Sequence, residues 1–163
     1  MSISNALLPE FDREMVSTRK MIERMPEDKL DWRPHEKSMS MGQLATHLAQ
    51  MPGWGVETLR KESVDITGYK PPKLESVASI LEMFDGFVAA LHTEIAAASD
   101  EHWMKLWSLS MDGKTIFNML RIAVIRGMIL NHSIHHRAQL GVYLRLNGIP
   151  VPAVYGPSAD EKE

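Results

Sequence analysis

The sequence predicts an all-α fold, a four-helix bundle with a long loop between helices three and four that carries a small hairpin. Three observations predict it. Apolar residues recur every three or four positions in four long segments. Prolines and glycines fall mostly between those segments, where they break helices. Hydrophobic residues make up 44% and charged residues 24% of 163 positions, the composition of one ordinary globular domain. A chain of this length buries roughly 70% of its unfolded surface and needs neither disulfides nor a structural metal to hold a core.

In the first segment Leu8, Phe11, Met15, Thr18, Ile22 and Met25 form one stripe, and Pro26 closes it because it lacks the N–H a helix requires. The linker Glu27 to Met39 ends at Ser40, which with Gln43 three residues on forms a capping box. Helix two therefore starts there, with Met41, Leu44, Ala45, Leu48 and Met51 inward. Pro52, Gly53 and Gly55 predict a kink or short break before the pattern ends near Arg60. After Pro71 and Pro72, the residues Val77, Ile80, Leu81, Phe84, Val88, Leu91 and Ile95 predict helix three, ending near Ala98. In the following loop Trp107, Leu109 and Met111 alternate with polar residues ahead of Asp112-Gly113, a tight-turn pair, which predicts the hairpin. Helix four is expected from Thr115 to Asn147, stopped by Gly148 and Pro150. One domain over residues 1–157 and a loose tail from Ser158 complete the expectation.

Lys and Arg number 18 against 21 Asp and Glu, a net charge of −3 with neither sign in long blocks. That argues against nucleic-acid capture. There are no cysteines, so thiolate zinc sites, iron–sulfur clusters and a cysteine nucleophile are excluded. Pro9, Glu10 and Asp12 stand where a secretory signal needs an apolar run, and no stretch reaches the roughly 18 apolar residues of a membrane span. The expectation is a cytoplasmic protein without membrane partners. Phosphate-binding loops, nucleophile elbows, His-Glu-x-x-His and the Glu-x-x-His pattern of di-iron bundles are all missing.

Chemistry concentrates in the histidines. Of seven, three fall within Asn131-His132-Ser133-Ile134-His135-His136-Arg137. His132 and His136 lie about 40° apart around a helix axis and roughly 6 Å along it, close enough for one metal. They share a stripe with Ile125, Ile129, Leu140 and Tyr143. Two imidazoles in an apolar interior are poorly satisfied, and a divalent ion resolves this by taking a lone pair from each. The alternative is that they merely pack. His135 faces the more polar line of Asn131 and Gln139 and reads as a neighbour or surface residue. A third ligand has to come from another helix: His47 at a half-apolar edge of helix two is the best candidate, and His92, flanked by Val88, Ile95 and Ala96, is the rival. His35 and His102 read as surface residues. Gln50, Arg137, Gln139 and Tyr143 are candidate supporting residues, and the four tryptophans are expected to pack in the linkers or line a pocket mouth.

Met41-Gly42-Gln43-Leu44-Ala45-Thr46-His47-Leu48, His132-Ser133-Ile134-His135-His136-Arg137-Ala138-Gln139-Leu140, and the ending Gly148-Ile149-Pro150-Val151-Pro152 with Tyr155-Gly156-Pro157-Ser158 resemble the DinB-like (YfiT-type) metalloprotein superfamily. The resemblance spans nearly the whole chain. It implies a four-helix bundle whose mononuclear site is held by His47, His132 and His136, and it favours His47 over His92. It further implies a divalent metal, zinc or nickel before iron or manganese, a small-molecule substrate with a low-molecular-weight thiol, and a homodimer. The function expected is thiol S-transfer, with metal-assisted hydrolysis as a variant; the alternative is a non-catalytic metal or small-ligand binding protein of a stress response.

Overall fold

A computed structural model describes residues 1–162. The fold is a helical bundle with a small sheet laid against one end. Helix α1 spans Ile3–Glu23, α2 Met41–Arg60 and α3 Val77–Ala97. The fourth bundle element has three parts: α5 (Arg121–Val124), a π segment (Ile125–Asn131) and α6 (His132–Leu146). A one-turn helix, α4 (Asp100–Trp103), lies between α3 and the sheet.

Local chemistry sets the starts. Ser2, Ser76 and Ser99 cap α1, α3 and α4 by accepting from backbone N–H groups. At α2 the expected capping box is complete, with Ser40 Oγ accepting from Gln43 N and Gln43 Oε1 from Ser40 N. The core joins Phe11 and Ile22 of α1, Leu44 and Leu48 of α2, Ile80, Phe84, Leu91 and Ile95 of α3, and Ile125, Ile129 and Leu140. Trp103 is fully buried, its indole N–H donating to Ser4 Oγ at 2.8 Å.

Two expectations about helices change. Helix α2 runs unbroken through Pro52 to Arg60. Its glycines serve packing instead of a break, since a Cβ on Gly55 would sit 2.5 Å from Leu91 Cδ2 and one on Gly53 would sit 3.1 Å from the Phe87 ring. They let α2 and α3 approach closely. Helix four does not begin at Thr115, because Lys114–Leu120 is strand β3. The β-branched and aromatic run Thr115-Ile116-Phe117 suits a pleated surface, and the helix starts only at Arg121, where pairing ends at Leu106↔Leu120.

The predicted hairpin is present, formed by β2 (Leu106–Met111) and β3. Asp112 at φ 52° and Gly113 at φ 71° form a turn with both residues left-handed, the arrangement that Asp-Gly accommodates at low cost. A bulge between Leu109 and Ser110 shifts the register by one, so Leu109 pairs with Phe117. A third strand, β1 (Ser63–Asp65), joins β2 in parallel and has no counterpart in the sequence expectation. The Asp65 carboxylate accepts from Thr67 N at 2.7 Å and Ser110 Oγ at 3.0 Å, tying the loop after β1 to the sheet.

Opposite the sheet, a buried ion pair joins α1 to α6. Arg137 Nη2 lies 2.8 Å from Glu14 Oε2, with side chains 3% and 4% exposed. Tyr155 closes the group, its hydroxyl donating to Glu14 Oε2 at 2.8 Å and accepting from Arg137 Nη2 at 2.9 Å. The stretch from Ser158, expected to be loose, is tied down as far as Glu161. Asp160 pairs with Arg145 and accepts from Val151 N at 2.9 Å, and Glu161 pairs with Arg24.

Removing Arg137 leaves the buried Glu14 carboxylate with the Tyr155 hydroxyl but without its buried counter-charge. Arg137→Ala is expected to lower unfolding free energy by about 3–5 kcal/mol in urea titrations followed by circular dichroism. The double change Glu14→Leu/Arg137→Met should cost less than that single change, and equal losses would contradict the ion-pair account.

Candidate metal centre

Capping at Ser40 puts His47 in the second turn of α2, facing α6. His132 opens α6 immediately after the π segment, and His136 follows one turn later. Such segments concentrate at functional sites. The structure brings these three histidines together: ring centroids are 5.3 Å apart for His47–His132, 4.7 Å for His47–His136 and 4.5 Å for His132–His136. One nitrogen of each lies within 4.8 Å of the others, so the group could hold a metal ion.

The hydrogen bonds assign the ring protons. His136 Nδ1 lies 2.6 Å from Gln139 Oε1, an acceptor, so Nδ1 carries hydrogen and Nε2 carries the lone pair. The Met128 backbone carbonyl favours a proton on the His132 ring. The two Nε2 atoms then face each other at 2.8 Å. Ring nitrogens this close share either a proton or a cation. The donor set, three half-buried imidazoles, therefore fits a divalent ion.

Burial keeps the rings neutral. Loss of solvation, followed by the His136 and His132 charges, pushes His47 down to about 4. Desolvation also lowers His132, against the Met128 carbonyl, and lowers His136, against the Gln139 hydrogen bond.

Comparison with known proteins follows from this geometry. The DinB family matches residues 1–163, the entire chain. The chain belongs to the DinB family. It is 22% identical over 162 residues to YrdA of Bacillus subtilis strain 168, covering 94% of this chain and 89% of that protein. The crystal structure of a DinB-like protein of Bacillus cereus ATCC 10987 superposes with a TM-score of 0.71 at 22% identity, covering 94% of this chain and 98% of that one. A DinB-like protein of Bacillus subtilis, yjoa, gives 0.71 at 16% identity over 91% of this chain and 96% of that one. These structural likenesses establish the fold.

Other expected residues sort themselves on this DinB fold. His92, expected inward, is exposed on α3 and faces Asp12 at 3.6 Å. His135 is exposed beside His136, with centroids 5.0 Å apart. His35 is exposed, but His102 is half-buried, its Nε2 2.9 Å from the Leu59 carbonyl and 2.8 Å from Arg121 Nη1 at the end of α2. Gln139 supports the site through His136. Arg137 turns the other way, toward Glu14, and the Tyr143 hydroxyl donates to the Met39 carbonyl at 3.2 Å.

Two cavities of about 370 Å³ each meet at His47, Gln50 and Pro71. The first is polar and includes Asp31, Arg33, Ser40, Gln43 and Lys73. The second is apolar and lies between the helices and the sheet, walled by Trp54, Tyr69, Trp107, Leu109, Phe117 and Ile129. His132 lines this second cavity only. Trp54 and Trp107 were foreseeable as pocket residues. Tyr69 and Phe117 were not, because the loop after β1 carries no periodic signal and Phe117 turns inward only through the bulge. The Asp-Gly turn gives the register near its tip but not that shift.

In metal-free protein, His47 stays neutral from about pH 6.5 down to about 4 while the unfolded chain takes up its proton. The unfolded state binds more protons, so the metal-free fold loses stability as pH falls through that window. Nitrogen-15 imidazole spectra should show His47 titrating near 4, and a midpoint at 6 or above would contradict the burial argument.

Proposed function

We propose that this protein binds one divalent metal ion through His47, His132 and His136 and transfers the sulfur of a low-molecular-weight thiol to a small electrophile. The observation that carries the reading is the convergence of His47, His132 and His136, with His132 Nε2 and His136 Nε2 2.8 Å apart and His136 Nδ1 turned to Gln139. When bound, the ion supplies Lewis acidity, lowering the pKa of a thiol or water beside it. A thiol starts near 8.5 and water near about 15.7, so a thiol reaches its anion at neutral pH without a protein base. Among the described residues no carboxylate lines the apolar cavity. Both points favour S-transfer over hydrolysis.

In the transfer, the sulfur forms a bond to the electrophilic carbon as the bond from that carbon to its leaving group breaks. The leaving group departs with the electron pair, and the thiol proton goes to bulk water. Gln139 fixes the His136 ring by accepting from Nδ1. Arg33 and Lys73 in the polar cavity suit carboxylates of a hydrophilic thiol, and Asp31 suits its ammonium group. Apolar walls on the other side exclude competing water.

Elemental analysis of untagged protein is expected to give about one equivalent of metal for wild type and none for His132→Ala/His136→Ala. Thiol-dependent consumption of an aryl halide should accompany the metal, disappear with chelation and fall at least about 100-fold in His47→Ala. A full metal complement without thiol-dependent turnover of any electrophile would leave the non-catalytic binding reading in its place. His136→Ala should lower metal affinity by at least about tenfold and His135→Ala by little; equal losses would mean a different pair holds the ion.

A further inference from the structure

We propose that the apolar cavity beside the three histidines is a subsite for an uncharged aromatic ligand, kept separate from the polar cavity across His47 and Gln50. That this ligand is the electrophile rests on the S-transfer reading; that the cavity binds it does not. The volume, about 370 Å³, lies in the range of roughly 300–1,000 Å³ typical of small-ligand sites. Its aromatic walls come from three separate places, Trp54 on α2, Tyr69 in the loop after β1, and Trp107 and Phe117 on the hairpin. Trp54 meets Tyr69 edge-on at 5.1 Å, and Trp107 and Phe117 lie 5.8 Å apart. Such faces and edges take a further ring in stacked or edge-on contact.

Among the described residues no Asp, Glu, Lys or Arg lines this cavity, whereas Asp31, Arg33 and Lys73 line its neighbour. A cationic ligand would lose its hydration there without a counter-charge and would meet any ion the histidines hold, so the cavity rejects cationic aromatic molecules in favour of uncharged ones. The Trp107 indole N–H, buried in the same wall, has no partner among the described residues. The void is also held open. Gln50 Nε2 donates to the Tyr69 hydroxyl at 2.6 Å, fixing one wall. The bulge fixes another by pairing Phe117 with Leu109. His47 and His132 line the cavity directly, so a ligand inside it lies beside the triad.

The test uses N-phenyl-1-naphthylamine, whose fluorescence rises in apolar sites, with wild type, Leu109→Glu and Phe117→Glu, metal content and circular dichroism being measured on the same samples. Saturable binding is expected for wild type, with affinity at least tenfold weaker in both folded variants and metal content unchanged. In manganese-loaded wild type, the fluorine signal of 4-fluorotoluene should relax faster than with Leu109→Glu, and that of the cationic 4-fluorobenzylammonium ion should show no such effect. Absence of probe binding to metal-loaded wild type overturns the subsite and leaves the metal reading standing. Probe binding without any metal uptake supports the subsite and removes the S-transfer role. Unchanged affinity in both variants, or equal relaxation of the 4-fluorobenzylammonium ion, overturns the subsite as described.

Discussion

The rotational setting of α6 is the constraint from which the site follows. Arg137 is held within the bundle by Glu14, Thr18 and Tyr155, so the helix cannot turn about its own axis without exposing an unpaired charge to apolar surroundings. With that side chain fixed on α1, His136, one residue earlier and roughly 100° around the helix, faces α2. His132 lies one turn below it on the same side. The ion pair on one side of α6 thus aims the imidazoles on the other, although Arg137 touches none of them.

On α2 the complementary demand is met by glycine. Close contact of Gly53 and Gly55 with Phe87 and Leu91 seats the helix against α3, while His47, two turns earlier, meets α6. One helix thereby has two partners at different heights. Beside the histidines, residues of α2 and of the fourth bundle element meet the hairpin around the apolar cavity.

Much of this was legible in sequence. Helix spans α1 to α3 followed from apolar period, proline and capping residues, and the His132/His136 pair followed from four-residue spacing. His47 was separated from His92 by family resemblance, since the apolar pattern around His92 suggested burial it does not have. Features that depend on partners distant in sequence were not legible. Thr115 to Leu120 carries an apolar pattern that continues into a helix, and only pairing with β2 makes it a strand. Arg137, expected to support the metal site, pairs instead with Glu14, a partner that exists only once α1 and α6 are side by side. Gly53 and Gly55 looked like breaks because their packing partners lie on α3, more than thirty residues later.

The bulge between Leu109 and Ser110 makes the cavity wall dependent on a single backbone position. With regular pairing, Leu109 would stand opposite Ile116; with the bulge it stands opposite Phe117, and Ile116 is left 51% exposed. Side chains alternate across a strand, so gaining or losing one residue there exchanges which set of residues faces inward. The histidines sit on helices that such a change does not touch. Editing the hairpin therefore revises the shape and chemistry of the chamber while the three histidines stay in place, and on the reading proposed above this would let the preference for a small molecule change in single steps.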